Sequence, residues 1–275
     1  MILIPKQGGN YDRHMTRRQK VTEYRYPEER YVGVILDRPN RFIMDVEVNG
    51  ETVRAHCPTQ GSIGSIKLPG RPVLLSYHPD PKRKLKWTAE ALSYDRPEDR
   101  HKEWIGFYQA ASNRYVEHYL RQGAFSGMIM TEGYQVERER KLGNSRIDLK
   151  VGDTYIEVKT WIQVIEKKVP SYIEQRPKKL HGFSGGERLI KHANELADAL
   201  KGHERCIMLS CYQYMPDPDE ELDRYDYGEL YSDTTQIIEA FDRAHAAGVE
   251  SWNCYFKLTE KGVKLIRYEK EEWKR

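Results

Sequence analysis

The sequence predicts a chain in two parts: an all-β first part of small-barrel type, then an α/β domain. Three observations carry that prediction. Between Arg30 and Tyr94 five short β-rich runs, "RYVGVILDRP", "RFIMDVEVNG", "ETVRAHCP", "RPVLLSYHP" and "KLKWTAEALSY", are broken by Pro, Gly and Asn. Such closely spaced short strands suit a small barrel. From Ser112 onward, apolar residues recur at helical spacing in three segments that alternate with strand-like runs. Between the two regimes lies "DRPEDRHKE", residues 95 to 103, a polar stretch without periodicity.

Each element has a local justification. Residues 1–30 carry little hydrophobic periodicity and many Arg, Lys and Tyr, and read as an N-terminal extension. Residues 31–98 form the barrel, in which the Asn49-Gly50 pair suits a tight primed hairpin turn. Residues 99–275 form the α/β domain. Its first helix, in "SNRYVEHYLRQGAF", takes Ser112 as N-cap and Gly123 as its stop. Strand signals follow at residues 128–131 and 134–141, and then the hairpin "SRIDLKVGDTYIEVKT". "GGERLIKHANELADALKG" is an amphipathic helix with Leu189, Ala193, Leu196 and Leu200 along one face. "RCIMLSCY" reads as a buried strand and "DTTQIIEAFDRAHAAGV" as a helix capped by Ser232 or Asp233. "SWNCYFKLT" and "GVKLIRYE" close the domain as a hairpin.

Composition narrows the function. Of the 275 residues, 39% are apolar and 32% charged. No apolar run approaches the roughly eighteen residues of a membrane span. The opening "MILIPKQGGNYDRH" lacks the apolar core of a secretory leader. Cys57, Cys206, Cys211 and Cys254 form no CxxC pair, which argues against zinc and a disulfide framework and for the cytoplasm. The net charge of +3 is uneven: residues 1 to 104 hold 19 Lys+Arg against 14 Asp+Glu, and the remainder holds 26 against 28. A mildly basic first half can follow a phosphate backbone, and an ordinary solvated surface carries the same charge. Residues 217 to 233 hold eight acidic residues and one basic residue, which suits a solvated loop kept away from polyanions.

The hairpin carries the chemistry. A two-residue turn at Gly152-Asp153 sets Val151 across from Thr154, Asp148 across from Glu157 and Arg146 across from Lys159. Facing residues share a side, with Cβ atoms roughly 4.5–5.5 Å apart. Ile147, Leu149, Val151, Ile156 and Val158 then make an inner face. Asp148, Glu157 and Lys159 share the outer face with Arg146, Lys150 and Tyr155. Two adjacent carboxylates repel unless a cation lies between them, and a hard ion such as Mg²⁺ answers that need. Lys159 can orient a water or stabilise charge growing on a phosphate. A charged outer face, with Asp148 merely paired to Arg146 or Lys159, accounts for the same residues. The helix, three strands, helix and strand around the hairpin follow the αβββαβ order of restriction-endonuclease-like nucleases. Glu117 lies on the first helix, where such folds often carry a supporting acid, and Glu139 lies on the strand before the hairpin.

Several motifs together resemble the sugar fermentation stimulation protein family (SfsA), described as DNA/RNA nucleases or DNA-binding regulators. They are "AHCPTQGSI", "PKRKLKWT", "WIGFYQAASNRYVE", "ERERKLGNSRIDL" followed by "YIEVKT", "RLIKHANEL" and "AHAAGVESWNCY", spread from about residue 31 to 268. The resemblance implies an N-terminal OB-fold barrel followed by a PD-(D/E)xK nuclease-like domain. It implies Asp148, Glu157 and Lys159 as catalytic core with Mg²⁺ or Mn²⁺, Glu139 as a supporting ligand, and a weaker place for Glu117. Lys191 and His192 fall on the family's lysine-histidine pair; His192 is either a phosphate contact or a buried structural histidine, and Arg188 could assist it. Two features depart from the family: Thr59-Gln60-Gly61 replaces its Asn-Thr-Gly, and residues 161–187, with Lys167, Lys168, Lys178 and Lys179, are longer than usual. The longer segment reads as a surface insertion or a substrate-facing flap.

An OB-fold holds strands with a basic groove and aromatic platforms. Lys82, Arg83, Lys84, Lys86 and Trp87 supply one patch, with Arg83 alternating against the three lysines. Arg38, Arg41 and Phe42 supply a second. A charged edge strand protected from aggregation has the same composition. His56 and Cys57 read as core and turn residues. The expected function is a metal-dependent nuclease acting on DNA and/or RNA. The alternative is a non-catalytic DNA-binding regulator linked to sugar metabolism.

Overall fold

The computed structural model describes residues 21–59, 61–162, 164–176, 186–202, 205–220 and 234–271. Residues 1–20 of the expected extension, Lys178 and Lys179, and residues 221–233 of the acidic segment lie outside these. From residue 21 the extension is docked: strand β1 (Tyr24–Arg25) pairs with the last strand of the chain, and Thr22 N donates to Gln122 Oε1 at 2.7 Å.

Five strands close a barrel: β2 (Arg30–Asn40), β3 (Ile43–Val48), β4 (Glu51–His56), β5 (Pro72–Tyr77) and β6 (Trp87–Ser93). Their order is β4-β3-β2-β5-β6, and a parallel pairing of Ala55 with Trp87 and His56 with Thr88 joins the ends. Alternation fills the interior with Ile35, Met44, Val46, Ala55, Val73, Leu75, Ala89 and Leu92, all fully buried. The expected primed turn is present, with φ positive at both Asn49 (52°) and Gly50 (82°). At Gly33 a Cβ would stand 2.6 Å from both Glu47 O and the Val46 side chain, so only glycine lets β2 and β3 approach.

The sheet does not end with the barrel. Strand β7 (Trp104–Gly106) pairs with β6 on one side and, through Trp104 and Leu258, with the second domain on the other. That domain consists of α1 (Gln109–Arg121), β8 (Val136–Leu142), β9 (Ser145–Val151), β10 (Thr154–Lys159), α2 (Gly186–Ala199), β11 (Arg205–Tyr212), α3 (Thr234–Ala247), β12 (Glu250–Leu258) and β13 (Gly262–Lys270). Strands β10, β11 and β12 are parallel, β8 and β9 add antiparallel on one side, and β13 pairs antiparallel with β12. Continuous burial along β10 and β11 fits strands covered on both faces. Ala111, Tyr115, Val116 and Leu120 of α1 cover one face, against Leu149, Ile156, Val158 and Leu209. Leu189, Ala193 and Leu196 of α2, with Phe241 and Ala244 of α3, cover the other, against Tyr155, Cys206 and Met208.

Three local expectations are corrected. Helix α1 starts at Gln109, with no side-chain cap. Ser112 is buried within it, 2.7 Å from Thr160 Oγ1 and 2.9 Å from Gln213 Nε2, so tertiary hydrogen bonds take the hydroxyl that the sequence assigned to a cap. Residues 128–131 form no strand; Met128 and Ile129 enter the core from a turn after α1. The stretch after β10 is neither a plain surface insertion nor, up to residue 176, a flap. It is a strap across the barrel: Ile162 O accepts from Gly64 N, Glu174 O from Lys67 N, and Arg176 N donates to Ser65 O. Ile165 and Ile173 enter the barrel-side core, and Lys167 Nζ binds Glu103 Oε1 (3.1 Å), Asp217 Oδ1 (2.8 Å) and Met215 O (3.2 Å). Asp217, at the start of the acidic segment, thus serves as an internal counter-ion.

A buried ion pair joins two barrel strands on the side facing α1. Arg30 of β2 and Glu90 of β6 are each 4% exposed and lie 3.1 Å apart, and the guanidinium also stacks over Tyr26 at 4.0 Å. Removing one partner strands a buried charge. Glu90→Ala is therefore expected to lower unfolding free energy by about 3–5 kcal/mol in urea titrations; a loss below about 1 kcal/mol would show that the pair is not desolvated as its burial implies.

Candidate functional site

The hairpin turn forms as its sequence requires, with positive φ at Gly152 (54°). Thr154 pairs with Val151, Tyr155 with Lys150 and Ile156 with Leu149, the register that a two-residue turn dictates. There the ladder stops. The Val158 N–H, which could have continued it, donates instead to Asp148 Oδ2 at 2.9 Å. On the far side of β9 the register skips the same point: Arg138 pairs with Leu149 and Arg140 with Ile147, while Glu139 between them adopts φ 50°. The hairpin twists at this break. Leu149 and Val151 pack under α1, but Ile147 packs with α2. The expected single apolar face is therefore two faces, and the carboxylates lie within the sheet instead of on an outer surface. Asp148 turns toward α1, where Asn113 Nδ2 donates to its Oδ1 at 2.7 Å.

Glu157 projects from β10 to the α2 side and is 2% exposed. Its Oε1 accepts from Lys159 Nζ at 2.5 Å and from His192 Nδ1; its Oε2 is buried with no protein donor. His192 reaches it because the helical repeat of α2 places it beside Leu189, Ala193 and Leu196 on the sheet-facing side. Burial and the facing Glu157 carboxylate push the Asp148 pKa up to about 6, against hydrogen bonds from Val158 N–H and Asn113 and the charge of Lys159. For Glu157 burial acts upward too, but His192 and Lys159 outweigh it and hold the group below the usual carboxylate value. One carboxylate is thus already held by Lys159 and a hydrogen bond from His192, while the other is ionised at some cost.

The other sequence candidates are not brought together with this pair. Glu139 is exposed and faces Arg146 at 3.9 Å, because positive φ turns it away from Asp148. Glu117 is committed to Arg121 (2.8 Å) and Arg138 (3.5 Å). Lys191 is exposed and donates to Asn144 O at 3.2 Å, so it lies by the β8–β9 turn, at the end of the hairpin away from its tip. His192 is a buried partner of Glu157, not a surface phosphate contact. Asn113, one helical turn before Glu117, was missed; the signal available was a polar residue at i−4 to Glu117 among inward-facing Ala111, Tyr115 and Val116. Among the described residues no set of three His, Cys, Asp or Glu side chains is arranged to share one ion. The pair itself still fits a hard divalent cation: two oxygen-donor carboxylates, one with a raised pKa and one with a buried oxygen lacking any donor.

The barrel patches also differ in part from expectation. Strand β6 begins at Trp87, so Lys82, Arg83, Lys84 and Lys86 lie in the β5–β6 loop, started by Asp80 accepting from Lys82 N at 2.9 Å. Their exposure nevertheless alternates: the three lysines are exposed and Arg83 is half-buried, bonded to Thr88 Oγ1 at 3.0 Å. Trp87 packs against Tyr31 and Tyr77, with centroids 5.1 and 4.9 Å away. The Arg41 guanidinium stacks over the exposed Phe42 ring at 4.7 Å, an open aromatic platform. Arg38, by contrast, is spent on the carbonyls of Arg41, Thr59 and Gly61. Among the described residues no helix is long and apolar enough to cross a membrane.

Comparison with known proteins gives three findings. Residues 36–107 match the model of the SfsA N-terminal OB domain. A sugar fermentation stimulation protein homolog of Trichodesmium erythraeum is 29% identical over 88% of this chain and 91% of its own length. One from Synechococcus sp. strain JA-3-3Ab is 30% identical over 85% and 90%. The structure of Pyrococcus furiosus SfsA in complex with Ca²⁺ covers 90% of this chain and 96% of its own at 17% identity, with a TM-score of 0.60, a likeness of fold.

The raised Asp148 pKa has a signed consequence for stability. The folded value, about 6, exceeds the ordinary value of 3.8, so this group's contribution is full below about pH 4 and is lost as pH rises through about 6. Glu157 acts oppositely, its contribution being lost as pH falls below its usual range. In chelator-treated protein Asp148→Asn is expected to change the unfolding free energy more favourably at pH 8 than at pH 5, by roughly 1–1.5 kcal/mol. An equal shift at both pH values would contradict the burial of Asp148 beside Glu157.

Proposed function

This chain belongs to the sugar fermentation stimulation protein family, and from that membership and the buried Asp148–Glu157–Lys159 cluster we propose that it is a metal-dependent nuclease hydrolysing DNA or RNA. The observation that carries the reading is Glu157: a carboxylate 2% exposed, fixed through one oxygen by Lys159 and His192, with its second oxygen buried without a protein donor and its charge felt by Asp148. Asp148 and Glu157 would hold Mg²⁺ or Mn²⁺. A bound ion of this kind polarises the phosphoryl group and makes a coordinated water a stronger nucleophile. The Ca²⁺ complex of Pyrococcus furiosus SfsA, a protein of the same fold, lends support. The αβββαβ element order is that of PD-(D/E)xK nucleases and supports the same assignment.

The protein's own residues do the remaining work. His192 holds Glu157 in one rotamer. Lys159, the least buried member of the trio, shares its three N–H groups between Glu157 and the reaction centre. There it orients the attacking water or hydrogen-bonds the phosphate as charge develops. Lys82, Lys84, Lys86 and the Arg41–Phe42 platform on the barrel hold the strand by charge and stacking.

Labelled single- and double-stranded DNA and RNA incubated with Mg²⁺ or Mn²⁺ provide the test. Cleavage by wild type is expected, with Asp148→Ala and Lys159→Ala lowering kcat by about 10²-fold or more while binding persists. Unchanged cleavage in both variants would place the chemistry elsewhere. Salt-dependent binding without cleavage in any metal would replace the nuclease with a DNA-binding regulator. For the barrel, replacing Lys82, Lys84 and Lys86 together by Ala is expected to flatten the slope of log affinity against log salt by up to about 3, at roughly 0.7–0.9 per phosphate contact. An unchanged slope would exclude that loop from the interface.

A further inference from the structure

Among the described residues, the buried side-chain oxygens of the second domain without a protein donor include Glu157 Oε2 and Asn113 Oδ1. Asn113 lies on the inner side of α1 and donates through Nδ2 to Asp148 Oδ1 at 2.7 Å. An ionised carboxylate oxygen only accepts, so this bond fixes the amide orientation and makes the outward-turned atom the oxygen. A buried carbonyl oxygen without a donor is destabilising. It persists where a cation or a bound donor completes it.

Resting on the nuclease reading, we propose that Asn113 is a third oxygen ligand of the divalent cation held by Asp148 and Glu157. Hard cations take amide oxygens as readily as carboxylates, and a neutral ligand adds no third negative charge to a pair that already repels itself. Lys159 and His192 both occupy Glu157 Oε1, leaving Oε2 as the oxygen without a protein donor. The acid one turn along the helix, Glu117, is engaged by Arg121 and Arg138 and does not compete for the position. The helix is fastened at this point: Ser112, the preceding residue, bonds Thr160 at the end of β10 and Gln213 beyond β11. Asn113 is thereby held in fixed relation to β10, which carries Glu157.

Mn²⁺ binding to the full chain, followed by electron paramagnetic resonance of free Mn²⁺ without nucleic acid, tests this. Asn113→Ala is expected to weaken Mn²⁺ binding about 10- to 100-fold, the range seen when a group supporting a metal site is removed. Asn113→Asp, which returns an oxygen but not the amide donor, is expected to bind at least as tightly as wild type. If Asn113→Ala binds like wild type, or Asn113→Asp binds as weakly as Asn113→Ala, Asn113 is only a clamp on Asp148 and the ligand role is wrong. Should Asn113→Ala melt below the assay temperature, Asn113→Asp decides alone: retained binding supports the role and lost binding overturns it. Absence of Mn²⁺ binding in wild type, or binding unchanged by Asp148→Ala, would overturn the cation reading itself.

Discussion

A carboxylate placed on a strand covered on both faces governs the second domain. Glu157 sits on β10, between the α1-side core and the α2–α3-side core, where an unpaired anion would be prohibitively costly. Its neighbours answer that cost. Lys159 comes from the same strand, two residues on. His192 comes from α2, from the helix face that packs on the sheet. The packing of α2 and the burial of Glu157 are therefore one problem solved together. Exchanging His192 for an apolar residue would disturb the carboxylate before it disturbed the core.

Asp148 is the second half of that constraint. It enters the site only because β9 leaves β10 at this point, and the amide freed by the departure, Val158 N–H, is satisfied by the Asp148 side chain itself. The defect in the ladder and the position of the carboxylate are the same event. Around it the molecule is tied tightly: Ser112 joins α1 to the end of β10, and the strap that begins at Trp161 runs directly to the barrel loop around Gly64–Lys67. With β6, β7 and β12 in one continuous sheet, the two parts share strands and core instead of a flexible linker. A strand held on the barrel would thus meet a catalytic centre in fixed relation to it.

Much of this was legible in the sequence, for identifiable reasons. Asn49-Gly50 and Gly152-Asp153 specify turns locally, so the barrel hairpin and the register bringing Asp148 toward Glu157 could be read from residue types alone. The αβββαβ order followed from periodicity. What escaped depended on partners distant in the chain. The hairpin pattern shows which residues alternate but not that both faces are covered, so a buried site looked like a charged surface. Ser112 has the chemistry of a cap, and only the fold reveals that Thr160 and Gln213 take its hydroxyl. Glu117 and Glu139 drew notice by charge, yet nearby arginines engage both. Asn113, neutral and unremarked, makes the contact with Asp148. In the stretch from Lys82 to Lys86 alternation survived while the strand did not, because Asp80 turns the chain first.

The central claim is that Asp148 and Glu157 form a divalent-cation site. Anomalous diffraction from crystals soaked in Mn²⁺ addresses it most directly. The expected result is a single strong peak within coordination distance, about 2.0–2.2 Å, of an Asp148 oxygen and Glu157 Oε2. Lys159 and His192 should remain on Oε1. A map in which Mn²⁺ binds elsewhere, or leaves this pair without a peak at saturating concentration, would contradict the claim.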